Sequence, residues 1–182
     1  MKRLPSILSL LLLSSLSCAA WAKDWQVDAA HSTLGFTGQY QGDAFHGTFK
    51  RFGAKIRYDP ANLATASFDV TVDLGSVDTQ SSERDETLTG TDFFDIASTL
   101  QAHFVSRSFA RGADGSVTAQ GILTLHDVSK PVTLKVTFTP AGGGATLDVD
   151  ATLNRLDFNL GSSNDWVDIG KTVAVHGHLQ LR

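Results

Sequence analysis

The sequence predicts an all-β fold, an antiparallel β-barrel of about eight strands with one short helix near residues 81–89. Three observations carry that reading. Apolar and polar residues alternate along most of the chain, the mark of strands with one buried face. Gly, Asn, Asp and Pro punctuate the alternation at short intervals, as turns between antiparallel strands do. A single polar stretch, residues 78–90, has the composition of a helix.

The clearest unit is residues 117–138. Val117, Ala119, Gly121, Leu123 and Leu125 fall on one face; Thr118, Gln120, Thr124 and His126 fall on the other, with Ile122 the exception. After a turn over residues 127–131 the alternation resumes with Val132, Leu134, Val136 and Phe138, so the two strands form a hairpin. Earlier, residues 25–28 open with a short strand and residues 29–32 turn. Leu34, Phe36, Gly38 and Tyr40 alternate with polar or small neighbours, and Gly42-Asp43 bends the chain. Phe45, Phe49 and Phe52 then crowd one stretch, residues 54–58 continue as a strand, and Asp59-Pro60-Ala61-Asn62 ends it.

Ala66, Phe68, Val70, Val72 and Leu74 make another clear strand. Ser81 or Ser82 caps the helix, with Asp85 or Glu86 near its first turn. Phe93-Phe94 follows it. Residues 100–110 are extended, Gly142-Gly143-Gly144 turns into a strand with Leu147, Val149, Ala151 and Leu153, residues 161–165 loop, and residues 173–181 close the sheet. A one-faced antiparallel sheet must bury that face. Closing it into a barrel does so and removes exposed edges; a two-sheet sandwich is the alternative. A barrel of about eight strands either fills with side chains or holds one small ligand.

Lys2 and Arg3 precede a short apolar run over residues 7–16, and Ala20-Trp21-Ala22 offers a small-x-small cleavage site. Residues 1–22 therefore read as a secretory signal peptide, too short to span a membrane, and residues 23–182 as one domain. The rival reading, a lipoprotein signal acylated at Cys18, has Ser15 where a leucine is wanted. Cys18 is the only cysteine and leaves with the leader, which excludes disulfides and thiolate metal sites from the mature chain. Bacterial export to the periplasm is the expected destination. The formal net charge is −4 before the leader's two cations are removed, and no basic run occurs. That balance argues against nucleic acid and anionic membrane surfaces as partners.

Catalytic patterns are missing from the sequence. It has no Gly-x-Ser-x-Gly elbow, and its triple glycine joins two strands instead of cradling a phosphate. Asp69 and Asp73 share a solvent-facing strand side. His176-Gly177-His178 has the look of a metal pair, yet both rings alternate outward from Val175 and Leu179, and His103 and His126 also lie on polar faces. No metal site is expected. His31 reads either as a turn residue satisfied by Asp28 or as a contact at a barrel mouth. The eleven phenylalanines are spread over the whole chain. They read as core packing or as the rigid wall of an apolar cavity.

The motifs together resemble a known family. Trp25-x-Val27-Asp28-x-x-His31-Ser32-x-Leu34-x-Phe36, Tyr58-Asp59-Pro60, Val77-Asp78-Thr79, Arg84-Asp85-x-x-Leu88 and Phe93-Phe94-Asp95 occur in the order seen in YceI-like proteins. So do Gly121-x-Leu123-Thr124-Leu125-x-x-Val128-Ser129-Lys130-Pro131-Val132, the most specific block, and Asp157-Phe158. The resemblance implies a lipocalin-like barrel, exported to the periplasm, that binds a polyisoprenoid-type lipid without catalysis; the bound species is an isoprenoid lipid or an isoprenoid quinone. It also implies links to stress responses and to membrane b-type cytochromes, and leaves a homodimer open. Two alternatives stand beside it: a quinone-presenting accessory of such a cytochrome, and a ligand-free protective domain with a solid core.

On this reading Leu34, Phe36, Phe45, Phe49, Phe68, Val70, Phe94, Phe104, Leu123, Val136 and Val149 are expected to line the interior. His31, Arg84 and Asp85 are candidates to meet a head group, the last two alternatively forming an ion pair that anchors the helix. Two positions depart from the family pattern: Thr99-Leu100 replaces an aromatic-Pro pair, and Asp127 replaces a glycine in the hairpin turn.

Overall fold

A computed structural model describes residues 23–182; the expected leader lies outside them. The strands are β1 (Lys23–Trp25), β2 (Thr33–Tyr40), β3 (Asp43–Phe49), β4 (Phe52–Tyr58), β5 (Ser67–Asp73) and β6 (Val77–Asp78). Helix α1 (Ser82–Thr89) follows, then β7 (Gln101–Arg111), β8 (Val117–Leu125), β9 (Val128–Ala141), β10 (Gly144–Asn154) and β11 (Thr172–Leu181). All eleven strands form one antiparallel sheet in the order β1-β4-β5-β7-β8-β9-β10-β11-β2-β3-β6, curled into an incomplete barrel. The count exceeds the expected eight: β6, two residues long, is too short to show an alternation, β3 lies in the stretch marked only by its phenylalanines, and the opening strand runs over Lys23–Trp25 instead of residues 25–28.

Three hairpins turn on two residues each, and in each both residues have positive φ: Gln41-Gly42, His126-Asp127 and Gly142-Gly143. Such turns match the right-handed twist of the strands they join. The second is tighter than the sequence suggested. Leu125 pairs directly with Val128, so residues 128–131 belong to β9, with Pro131 opposite Ile122. Proline is tolerated there because β9 pairs with β10 only from Lys135 onward.

Two patches of bonding draw the margins of the sheet together. Gln26 and Arg182 exchange backbone hydrogen bonds of 3.0 and 2.9 Å, and Asp28 N donates to Gln180 O at 2.8 Å. At the other end Lys50 N donates to Ser76 O at 3.0 Å and Asp73 N to Arg51 O at 3.0 Å. Helix α1 caps this second end. Ser81 Oγ accepts from Arg84 N at 3.4 Å, Glu83 and Asp85 lie in the first turn where the helix dipole favours them, and Leu88 is buried beneath.

Candidate ligand-binding cavity

The barrel interior divides into two halves of different character. Toward the end closed by Val27 and Leu181 it is solid: Ile56, Tyr58, Phe68, Phe104, Val117, Val136, Leu147, Leu179 and Leu181 form one buried cluster. Aromatic rings fill it across the axis, with Phe68 edge-on to Phe109 at 4.8 Å and Tyr58 against Phe138 at 5.1 Å. Beneath α1 a second cluster of Leu74, Val77, Leu88, Phe93, Phe94, Leu125, Phe158 and Leu160 surrounds a cavity of about 170 Å³.

Glycines explain why this half stays hollow. Phe45, Phe36, Phe49 and Phe94 run along one wall with successive ring separations of 6.2, 5.6 and 6.0 Å. Phe36 is paired with Gly47 and Phe45 with Gly38 across β2 and β3. A β-carbon at Gly38 would sit 2.7 Å from Phe45 Cζ, and one at Gly47 would collide with the Phe36 ring. Both rings therefore fold flat onto bare backbone and do not reach across the barrel. Val175, the cross-strand partner of Phe36, continues that wall with Val173 on β11, and Leu153 on β10 with Leu123 and Leu125 on β8 complete the lining. The result is an apolar room with aromatic panelling and few groups able to hold water.

Arg155 is the exception in that wall. It is 6% exposed and, among the described residues, has no carboxylate partner. Its Nε donates to Gly170 O at 3.1 Å, Nη1 to Leu160 O at 2.7 Å and to Gly161 O, and Nη2 to Trp166 O and Ile169 O, both at 3.0 Å. Five carbonyls thus take its donors, and one side chain gathers the connection between β10 and β11 against the cavity. Burial pulls the guanidinium below its ordinary pKa, without bringing neutralisation near physiological pH. The same connection is pinned from the other side by Trp166, whose Nε1 donates to Asp92 Oδ2 at 3.0 Å and whose ring meets Phe93 at 5.0 Å.

A family model described as the YceI-like domain matches residues 25–181. The chain belongs to the YceI-like family. Among curated YceI-like relatives, a UPF0312 protein of Pseudomonas fluorescens is 37% identical over 166 residues, covering 81% of this chain and 84% of its own. A UPF0312 protein of Vibrio cholerae is 33% identical over 145 residues, with coverages of 78% and 77%. Among solved structures, BcnA of Burkholderia cenocepacia superposes with a TM-score of 0.80 at 29% identity, covering 85% of this chain and 99% of that one. A domain of Saccharophagus degradans described as polyisoprenoid-binding superposes at 0.68 over 90% of this chain and 99% of that one; at 17% identity it shows the shared fold.

Within this YceI-like barrel, Leu34, Phe36, Phe45, Phe49, Phe94 and Leu123 stand on the cavity wall. Phe68, Phe104 and Val136 are buried in the solid half, with Val70 and Val149 packed against it. Alternation separates inward from outward residues, but distance along the barrel axis decides which half they enter. Arg84 and Asp85 do not pair with each other. Both bind the nearly buried Thr79: Asp85 Oδ1 accepts from its N–H at 2.9 Å and its hydroxyl at 2.7 Å, and Arg84 Nε donates to its Oγ1 at 3.0 Å. Thr79 is the anchor that the expected ion pair was to provide. The Arg84 guanidinium also lies 4.9 Å from the Phe45 ring centre, at the cavity rim. His31 does not line the cavity; its Nδ1 meets Asp28 Oδ2 at 2.9 Å in an exposed turn.

Outward histidines pair with carboxylates across strands: His176 with Asp150 at 2.7 Å, His178 with Asp148 at 2.6 Å and His103 with Asp69 at 2.8 Å. Among the described residues no three His, Cys, Asp or Glu groups are placed to hold a metal ion. A larger recess of about 840 Å³ runs over the sheet from β8 to β3, an open trough along which Thr33, Thr37, Thr48, Thr118 and Thr133 alternate with Lys135, Asp150 and His176. Nothing in the alternation marks Arg155, Gly38, Gly47 or Thr79 as site residues. Cross-strand register places Gly38 and Gly47 against the rings, whereas Arg155 and Thr79 lie in connections outside the ladders.

Proposed function

We propose that this protein is a binding and carrier protein for a polyisoprenoid-type lipid, acting in the periplasm without catalysis. The observation that carries the reading is the apolar cavity under α1, where Arg155, the one charged side chain among the described lining residues, spends its donors on backbone carbonyls. Such a room offers nothing to a polar substrate and everything to a hydrocarbon tail. Membership of the YceI-like family, and the likeness to a domain described as polyisoprenoid-binding, support the same class of ligand. An isoprenoid quinone belongs to that class through its tail.

Size sets the terms of binding. A cavity of about 150 Å³ holds one benzene, so the 170 Å³ room holds a short piece of a prenyl chain. A longer tail requires the phenylalanine wall to give way or the rest of the ligand to lie outside. Each buried CH₂ gains about 0.8 kcal/mol against water, but almost nothing against a bilayer, whose tails are equally apolar. The protein thus suits shielding a lipid across an aqueous gap or holding it for a partner, not stripping it from a membrane.

The test is lipid extraction from protein purified from its own host compartment, followed by mass spectrometry, with Phe36→Asp as the comparison. Prenyl-chain lipid released from wild type and lost from the variant is the expected result. Equal recovery from both, or none from either, removes the reading. Cell fractionation tests the periplasmic location separately.

A further inference from the structure

The curled sheet has a seam. β2 and β3 stand on one side of it and β4 and β5 on the other, and no ladder joins β3 to β4 although they are consecutive in the chain. Residues 26–28, bonded to residues 180–182, close one end. Ser76 closes the other, its Oγ accepting from Arg51 N at 3.0 Å and donating to Asp73 O at 2.6 Å. Between these stitches the outer surface opens into a cleft of about 690 Å³.

The cleft has polar walls and an apolar floor. Thr33 and Thr48 flank one side and Gly53 and Thr71 the other, while Leu34, Phe49 and Phe52 lie at the bottom. Leu34 and Phe49 also line the interior cavity. A partition one side chain thick therefore separates the cleft from the hollow half of the barrel. Elsewhere the cavity is walled by continuous strand pairs such as β7–β8 and β10–β11, and opening those would break backbone hydrogen bonds. Turning two half-buried side chains breaks none.

We propose that this seam is the portal of the barrel, through which an apolar tail passes between Leu34 and Phe49 into the cavity. The proposal rests on the lipid-binding reading above and adds the route. The competing way in is the rim beside α1, where Arg84 lies over Phe45.

Gly53 makes the route testable. It faces outward on β4, and a β-carbon there would meet open space. Gly53→Trp therefore lays a bulky ring across the cleft without displacing a neighbour, while Leu34→Ala thins the partition. The measurement is stopped-flow fluorescence with dansyl-labelled farnesol, with circular dichroism confirming the fold of each variant. Gly53→Trp is expected to slow association and dissociation together by about tenfold or more, moving the equilibrium constant far less; Leu34→Ala is expected to speed both. Equilibrium binding with wild-type rates in both variants overturns the portal and leaves the binding reading in place. If Gly53→Trp fails to fold, the rates of Leu34→Ala decide. No equilibrium binding to wild type overturns the binding reading and the portal with it.

Discussion

The Phe36 ring lies flat over Gly47, its partner on β3, in the space a side chain would need. Hollow and glycine are therefore one feature. Gly47→Ala must lift the ring toward the cavity, with Thr79 Cγ2 only 3.0 Å from the new β-carbon on the other side. The expected outcome is a loss of about 1–3 kcal/mol in urea unfolding, as overpacking gives, and weaker binding of a prenyl probe because the room has shrunk. A variant that is destabilised but binds as before would detach the glycine from the cavity.

The two halves of the barrel are expected to separate stability from binding. Phe36→Asp places a charge on the cavity wall and is expected to abolish probe binding. Phe104, packed over Gly121 in the solid half, does not line the cavity under α1. Phe104→Leu is expected to cost about 1–2 kcal/mol in unfolding while leaving probe affinity within about twofold of wild type. Equal losses of affinity in both would mean that the interior acts as one unit.

The inward face of β8 was legible because period-two alternation follows from the pleat itself: Val117, Ala119, Gly121 and Leu125 are all buried. The helix was legible from Ser81 and the acidic first turn. Which inward residues meet the cavity was not legible. Phe36 and Phe104 look alike in a sequence, each an inward phenylalanine lying against a glycine of a neighbouring strand, and only the register along the barrel puts one in the hollow half and the other in the solid half. Arg155 was illegible for a different reason. Its partners are all backbone carbonyls, and a backbone carbonyl leaves no mark on residue identity.

Arg155 is expected to be the costliest polar residue to remove. Arg155→Met keeps the volume but strands the carbonyls of Leu160, Gly161, Trp166, Ile169 and Gly170 away from water. A loss of about 3–5 kcal/mol is expected. Arg155→Lys is expected to recover little, since one ammonium cannot reproduce the planar fork that reaches five acceptors. Urea unfolding of the three proteins checks this; full recovery by lysine would show that the charge matters and the fork does not.

The hairpin between β8 and β9 carries avoidable strain. His126 and Asp127 have φ of 49° and 58°, where side chains are crowded. His126 is held there by its Nδ1 contact to Phe158 O at 3.3 Å, while Asp127 has no such contact. Asp127→Gly is expected to raise stability by up to about 1 kcal/mol, visible as a higher urea midpoint with an unchanged slope. No gain would mean that the entropy glycine adds to the unfolded chain cancels the relief.

Acid is expected to loosen the barrel at its N-terminal stitch. The hydrogen bond from Arg57 holds Asp24 below the usual carboxylate pKa, and the His31 ring, with Arg182 behind it, does the same for Asp28. A depressed folded pKa means that the unfolded chain takes up protons first as pH falls, so the contribution is present above the unfolded carboxylate value and is lost below it. Stability is therefore expected to hold from neutral pH down to about 5 and to fall below about 4. Asp24 is exposed and screened, so high salt should flatten its share of the fall, whereas the Asp28 side chain is only 10% exposed and should keep more of its own. Because they flank the segment that joins β1 and β4 to β11, the exchange rates of the Gln26 and Arg182 amides should rise before those of β8. Asp28→Asn should bring that early exchange to neutral pH; unchanged exchange at those two amides would place the acid-sensitive step elsewhere in the barrel.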